Sequence, residues 1–83
     1  MRWDPGKSER LKQERGVSFE EIIHAELAGV LKHSKRANQN ILLFRHKGYI
    51  WVVPYVSRDG EIFLKTLFPS RKYTKMLEKG ELP

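Results

Sequence analysis

Eighty-three residues, 40% of them hydrophobic and 11% aromatic, suffice for one core and are too few for a second domain, since a chain this short buries only roughly 60–65% of its unfolded surface. The absence of cysteine excludes disulfide frameworks, thiolate metal sites and cysteine nucleophiles together. Sixteen Lys and Arg against ten Asp and Glu leave a net charge of +6, which favours a polyanionic partner, and no apolar run is long enough to span a bilayer.

The charge is uneven along the chain. Residues 1–31 carry five cations and six carboxylates, whereas residues 32–83 carry eleven cations and four carboxylates. The second half therefore holds the positive field, which attracts nucleic acid or an acidic protein segment and gains from counterion release at phosphates. An N-terminus reading Met-Arg-Trp-Asp-Pro-Gly-Lys has no apolar leader, so a cytoplasmic chain is expected.

Asp4-Pro5 is a helix-start signal: the Asp oxygen accepts from orphan amides of the first turn, and proline at the first helical position has no N–H to waste. It predicts a helix over about 5–15, ended by Gly16 and anchored only by Trp3 and Leu11, with Lys7, Arg10, Lys12 and Arg15 wet. Ser18 and Glu21 have capping-box spacing, with Val17 and Ile22 as a hydrophobic staple. Phe19, Ile22, Ile23, Leu27, Val30 and Leu31 recur at helical period, which predicts a second helix over about 19–31. Glu26 falls inside that apolar stripe, where it is expected to reach solvent or pair with a cation such as Lys65; His24 lies on its flank.

The basic, aperiodic stretch from Lys32 to Asn40 reads as a loop that contains His33. From there the period is two. Ile41–His46, Tyr49–Ser57 and Glu61–Phe68 read as an antiparallel meander with tight turns at Lys47-Gly48 and Asp59-Gly60. Pro54 cannot donate to a ladder, which predicts an edge or a bulge there. Ile50, Val52 and Val56 share one face of the middle strand, and Tyr49, Trp51, Val53 and Tyr55 the other. Alternation in the third strand groups Ile62, Leu64, Thr66 and Phe68 against Phe63, Lys65 and Leu67. Both faces are substantially apolar, so helices on one leave an aromatic and cationic surface on the other. A short basic helix is expected from Pro69, held by Tyr73, Met76 and Leu77. The fold class is therefore α+β: two N-terminal helices, a three-stranded meander and a C-terminal helix in one domain, residues 1–83.

The order of these parts carries a resemblance: Trp3-Asp4-Pro5 with Lys7, then Gly16-Val17-Ser18-Phe19-Glu20-Glu21, then a meander ending Phe63-Leu64-Lys65-Thr66-Leu67-Phe68-Pro69-Ser70-Arg71-Lys72-Tyr73-Thr74-Lys75. Over nearly its whole length the chain resembles the BrnT-type ribonuclease toxins of type II toxin-antitoxin systems. It departs from them after the last strand, where Pro69-Ser70-Arg71-Lys72 stands in place of a frequent Ala-Arg. The resemblance implies a RelE-like toxin fold and RNA cleavage without a metal or other cofactor. It also implies an antitoxin partner with a ribbon-helix-helix DNA-binding end, through which alone operator DNA is met.

Cleaving RNA without a metal requires deprotonating a 2′-OH, stabilising a phosphorane and protonating the departing 5′ oxygen; pre-placed cations are often the larger contribution. The candidates for catalysis are Arg71 as phosphorane clamp, Lys65 between Phe63 and Leu67, His46 at a strand end, and Tyr55, expected on the same sheet face as Lys65. Arg45, Lys47, Trp51, Lys72, Tyr73 and Lys75 are candidates for holding nucleic acid by charge and stacking. Three histidines without an i, i+4 pair make a zinc site improbable. Two other readings use the same cations and aromatics: a nucleic-acid-binding module without catalysis, and a toxin-like scaffold that only grips its antitoxin.

Overall fold

The computed structural model describes residues 1–32 and 40–82. Its elements are α1 (Pro5–Arg15), α2 (Phe19–Ile22), β1 (Glu26–Lys32), β2 (Asn40–His46), β3 (Tyr49–Arg58), β4 (Glu61–Leu64), β5 (Phe68–Ser70) and α3 (Arg71–Glu78). The α+β class and the β2-β3-β4 meander are as expected, but the antiparallel sheet is larger. Its strands run β1-β2-β3-β4, and β5 pairs with β3 beyond the end of β4. The expected loop lies outside the described residues except for Lys32 and Asn40, which end β1 and begin β2; His33 falls among the undescribed residues.

α1 forms where the sequence places it. Asp4 caps it by accepting from the Gly6 N–H at 2.9 Å, and Gly16 ends it by donating to the Lys12 carbonyl at 2.9 Å. The capping box at Ser18 and Glu21 is also present, but α2 is a single turn and not a helix to 31. Residues 26–32 instead form β1, paired antiparallel with β2 from Glu26 opposite Arg45 to Lys32 opposite Asn40, with a bulge at Ala28. The misfit of Glu26 in a helical stripe disappears in a strand, and its cross-strand position is beside Arg45, not Lys65.

Both hairpin turns have positive φ at their two central residues, 52° and 77° at Lys47-Gly48 and 53° and 79° at Asp59-Gly60. That is the I′ geometry, whose twist matches the strands it joins. The expected third strand is broken. β4 stops at Leu64 opposite Tyr55, and β5 starts at Phe68 opposite Val52. The Lys65 N–H donates to the Pro54 carbonyl at 2.9 Å, so Pro54 presents its backbone to this side. The N–H and C=O of one strand residue point to the same edge, so the donor that proline lacks falls in the gap between the two ladders. α3 begins at Arg71, two residues later than expected, because Ser70 caps it by accepting from the Tyr73 N–H at 3.2 Å.

Two cores result. α1 and α2 cover one face of the sheet, burying Leu11, Val17, Phe19 and Ile22 against Phe44, Trp51, Val53, Tyr55, Leu64 and Leu67. α3 covers part of the other, where Tyr73 and Leu77 pack on Leu43, Ile50 and Val52. Each fully buried Leu, Ile or Phe contributes about 1.5–3 kcal/mol. Thr74 joins α3 to the sheet: its hydroxyl donates to the Ser70 carbonyl at 2.6 Å and accepts from the Ile50 N–H at 2.9 Å.

The α1–α2 junction is polar and specific. The buried Ser8 hydroxyl accepts from the Phe19 N–H at 2.9 Å and donates to the Glu20 carboxylate. That donation holds the Glu20 carboxyl below its ordinary range. Lys12, 2.6 Å from Glu21 Oε1, together with the Ser18 N–H at 3.2 Å, pulls the Glu21 carboxyl down to about 2. A lowered pKa in the folded state adds stability above the ordinary value of 4.5 that is lost as pH falls toward 2. Acid titration of stability is therefore expected to steepen between these values, and Glu21→Gln to flatten it, as measured by urea unfolding at a series of pH values. Ser8→Ala leaves the Phe19 N–H buried without its acceptor and should lower stability by about 1–3 kcal/mol in the same assay.

Candidate nucleic-acid interface

α3 reaches only one end of its face of the sheet. At the other end β3, β4 and the turn between them line a shallow concavity of about 350 Å³ with Val56, Arg58, Asp59, Glu61, Phe63 and Lys65. Arg2 joins this face from the N-terminus. Its backbone forms a parallel bridge beside Phe63, donating to the Ile62 carbonyl and accepting from the Leu64 N–H, both at 2.8 Å. Its guanidinium lies 3.4 Å from Glu61.

The break between β4 and β5 shapes this surface. Up to Lys65 the side chains alternate as expected, but Leu64 and Leu67 both enter the helix-covered core, three residues apart. The alternation slips by one, and Phe68, opposite Val52, comes out on the same face as Phe63. Phe63 is 40% exposed and Phe68 39%. The expected grouping of Phe68 with Leu64, and of Leu67 with Lys65, is thus reversed. The exposed phenyl rings are flat apolar surfaces of the kind on which bases stack, and the cations on this face are Arg58, Lys65 and the Glu61-paired Arg2.

The expected catalytic residues do not gather. Tyr55 pairs directly with Leu64, so it shares that residue's face; it is 6% exposed within the core under α1 and α2. Lys65 is one residue further on and opens onto the other face. The expectation that Tyr55 and Lys65 share a face is corrected by this register. His46 ends β2 with its ring edge-on to Trp51, centroids 6.5 Å apart, and its carbonyl accepts from the Trp51 Nε1–H at 3.2 Å. The His46 Nε2 is buried without a hydrogen-bond partner among the described residues. Alternation from Phe44 puts His46 on the helix-covered face, away from Lys65.

Arg71 is exposed at the first position of α3, directly after β5. Lys65 and Ser70 lie opposite Pro54 and Ile50, four residues apart on β3, which is about 13 Å of strand. Arg71 thus flanks the open face and is not in the concavity with Lys65. Lys72 and Lys75 are exposed on the same helix, with Lys72 Nζ 5.5 Å from the Tyr73 ring centroid, and Tyr73 is partly buried on the second core. Arg45 lines a separate groove under the end of α3 with Glu26 and Leu77, and Lys47 is exposed in its turn. Trp51, 7% exposed in the first core, offers no stacking surface.

Arg2, Arg58, Asp59, Glu61, Phe63 and Phe68 are not among the candidates that the sequence pattern offers. The Asp59-Gly60 turn signal could have found Arg58 and Glu61, since a two-residue turn sets its flanking residues opposite each other. Nothing local announces Arg2, which arrives through a contact with a residue sixty-one positions away. Among the described residues no three His, Asp or Glu are placed to hold a metal ion, and no helix is long and apolar enough to cross a membrane. Trp51→Ala should cost about 3–5 kcal/mol of stability in urea unfolding, whereas Phe63→Ala should cost about 1 kcal/mol or less. No family model matches the chain, and neither a curated protein nor a solved structure matches it.

Proposed function

We propose that the protein is a ribonuclease toxin of a type II toxin-antitoxin pair, with the RelE-like fold its BrnT-like sequence implies, acting on single-stranded RNA laid across the open half of the sheet. The observation that carries this reading is the uncovered face itself, where Phe63 is exposed beside Lys65 and Arg58 and Phe68 is exposed further along the same face. Unpaired bases stack on such rings for about 1–3 kcal/mol each, while the cations take the phosphates.

In the cleavage step the 2′ oxygen attacks the adjacent phosphorus as its proton leaves to a base, and the P–O5′ bond breaks as the 5′ oxygen takes a proton from solvent, giving a 2′,3′-cyclic phosphate and a free 5′ hydroxyl. The concavity offers the Asp59 and Glu61 carboxylates as proton acceptors, and Lys65 with Arg58 for the extra charge of the phosphorane. Arg71, a bidentate phosphate ligand by its chemistry, grips the strand further along. The partner is an antitoxin with a ribbon-helix-helix end, and operator DNA is met only through it.

A second reading, RNA binding without cleavage, is favoured by one observation: His46 and Tyr55 lie away from the face that carries Lys65. Incubating purified protein with single-stranded RNA in EDTA separates the two. Cleavage is expected, with Lys65→Ala about 10²-fold slower and Tyr55→Phe roughly unchanged. Salt-dependent binding with intact RNA supports the second reading, and neither binding nor cleavage sinks both.

A further inference from the structure

Beyond the open face, the outer side of α1 carries a second cluster of charge. Lys7, Arg10, Glu14 and Arg15 line a cleft of about 150 Å³, floored by Leu11 and closed on the far side by Thr66. Three cations meet one carboxylate there. The ion pairs among the described residues engage Arg2 and Lys12, and neither Lys7 nor Arg10 has a side-chain hydrogen bond or ion pair among those residues. Arg15 is already positioned: its guanidinium donates to the Leu67 carbonyl and lies 3.5 Å from Thr66 Oγ1. A fork held in place loses less freedom on gripping a phosphate than a free one.

The cleft is adjacent to the open face through the chain itself. Lys65 faces the concavity, and the next residue, Thr66, faces the α1 cleft. The two sites therefore open on opposite sides of the stretch of backbone that joins β4 to β5, where the sheet has no regular ladder. We infer that the α1 cleft is a second phosphate subsite, which takes the sugar-phosphate backbone of the same single-stranded RNA after it passes over this broken edge. The inference rests on the RNA reading above and adds a length requirement. A strand must be long enough to lie on Phe63 and Phe68 and still reach Lys7 and Arg10.

The test is fluorescence anisotropy of labelled single-stranded RNAs of about four and about twelve nucleotides, with the intact protein and the Lys7→Gln/Arg10→Gln double variant. Glutamine keeps helix propensity, and thermal unfolding checks that the variant is folded. For the longer strand the double variant should bind about ten-fold more weakly, and its affinity should fall less steeply with salt, by about 1.4 in the log–log slope for two lost phosphate contacts. The shorter strand should bind both proteins alike. Equal weakening of both strands, which a general loss of field would produce, or no weakening of either, overturns the subsite while leaving RNA binding standing. Loss of competition by inorganic phosphate in the variant, with both RNAs unaffected, assigns the cleft to a free anion and also overturns it. Failure of the unaltered protein to bind either RNA sinks the RNA reading and the subsite together.

Discussion

Pro54 has no amide hydrogen, yet it sits in β3 with neighbours on both sides. A proline in a central strand is tolerated where the ladder is interrupted, and the chain opposite Pro54 is broken into β4 and β5. Much else follows from that break. The slip of one residue across 65–67 lets Leu64 and Leu67 fill the same core and turns Phe68 out on the face that carries Phe63. Arg15 of α1 takes the Leu67 carbonyl left without a strand partner. The same break leads the chain into β5, from which Ser70 caps α3 and Thr74 fastens it to Ile50.

The sheet is thus apolar on both sides but covered unequally. α1 and α2 close one face, with their junction held by Ser8, Glu20, Ser18, Glu21 and Lys12 through an ion pair and hydrogen bonds that satisfy the first amides of α2. α3, of eight residues, is too short to close the other. The uncovered remainder is where aromatic rings, cations and carboxylates meet, and it is a consequence of fold geometry: a central strand with large side chains on both faces needs two covering layers, and this chain has one and a half.

This arrangement also divides the titratable groups. Tyr55 and Trp51 serve the core, and His46 leans on Trp51. Lys65, Arg58, Asp59 and Glu61 share the open concavity, with Arg2 tied in through Glu61. That face therefore carries carboxylates and cations brought together by one hairpin and the N-terminal residues, and not the imidazole and phenol that the strand pattern suggests.

Where the decisive interactions are close in sequence, the residues alone sufficed. The Asp4-Pro5 start, the Ser18–Glu21 box and the two glycine turns each depend on contacts within four residues, and each is found as read. The alternation of Trp51, Val53 and Tyr55 against Ile50 and Val52 is likewise a property of the strand itself. Leu27, Val30 and Leu31 satisfy a helical period, whereas the backbone partners that make residues 26–32 a strand lie in β2, from residue 40 onward. The same holds for the parity of residues 64–68, for the separation of Tyr55 from Lys65, and for Arg2 beside Phe63. Each is set by a partner distant in the chain, and no local pattern encodes which backbone groups a remote strand will present.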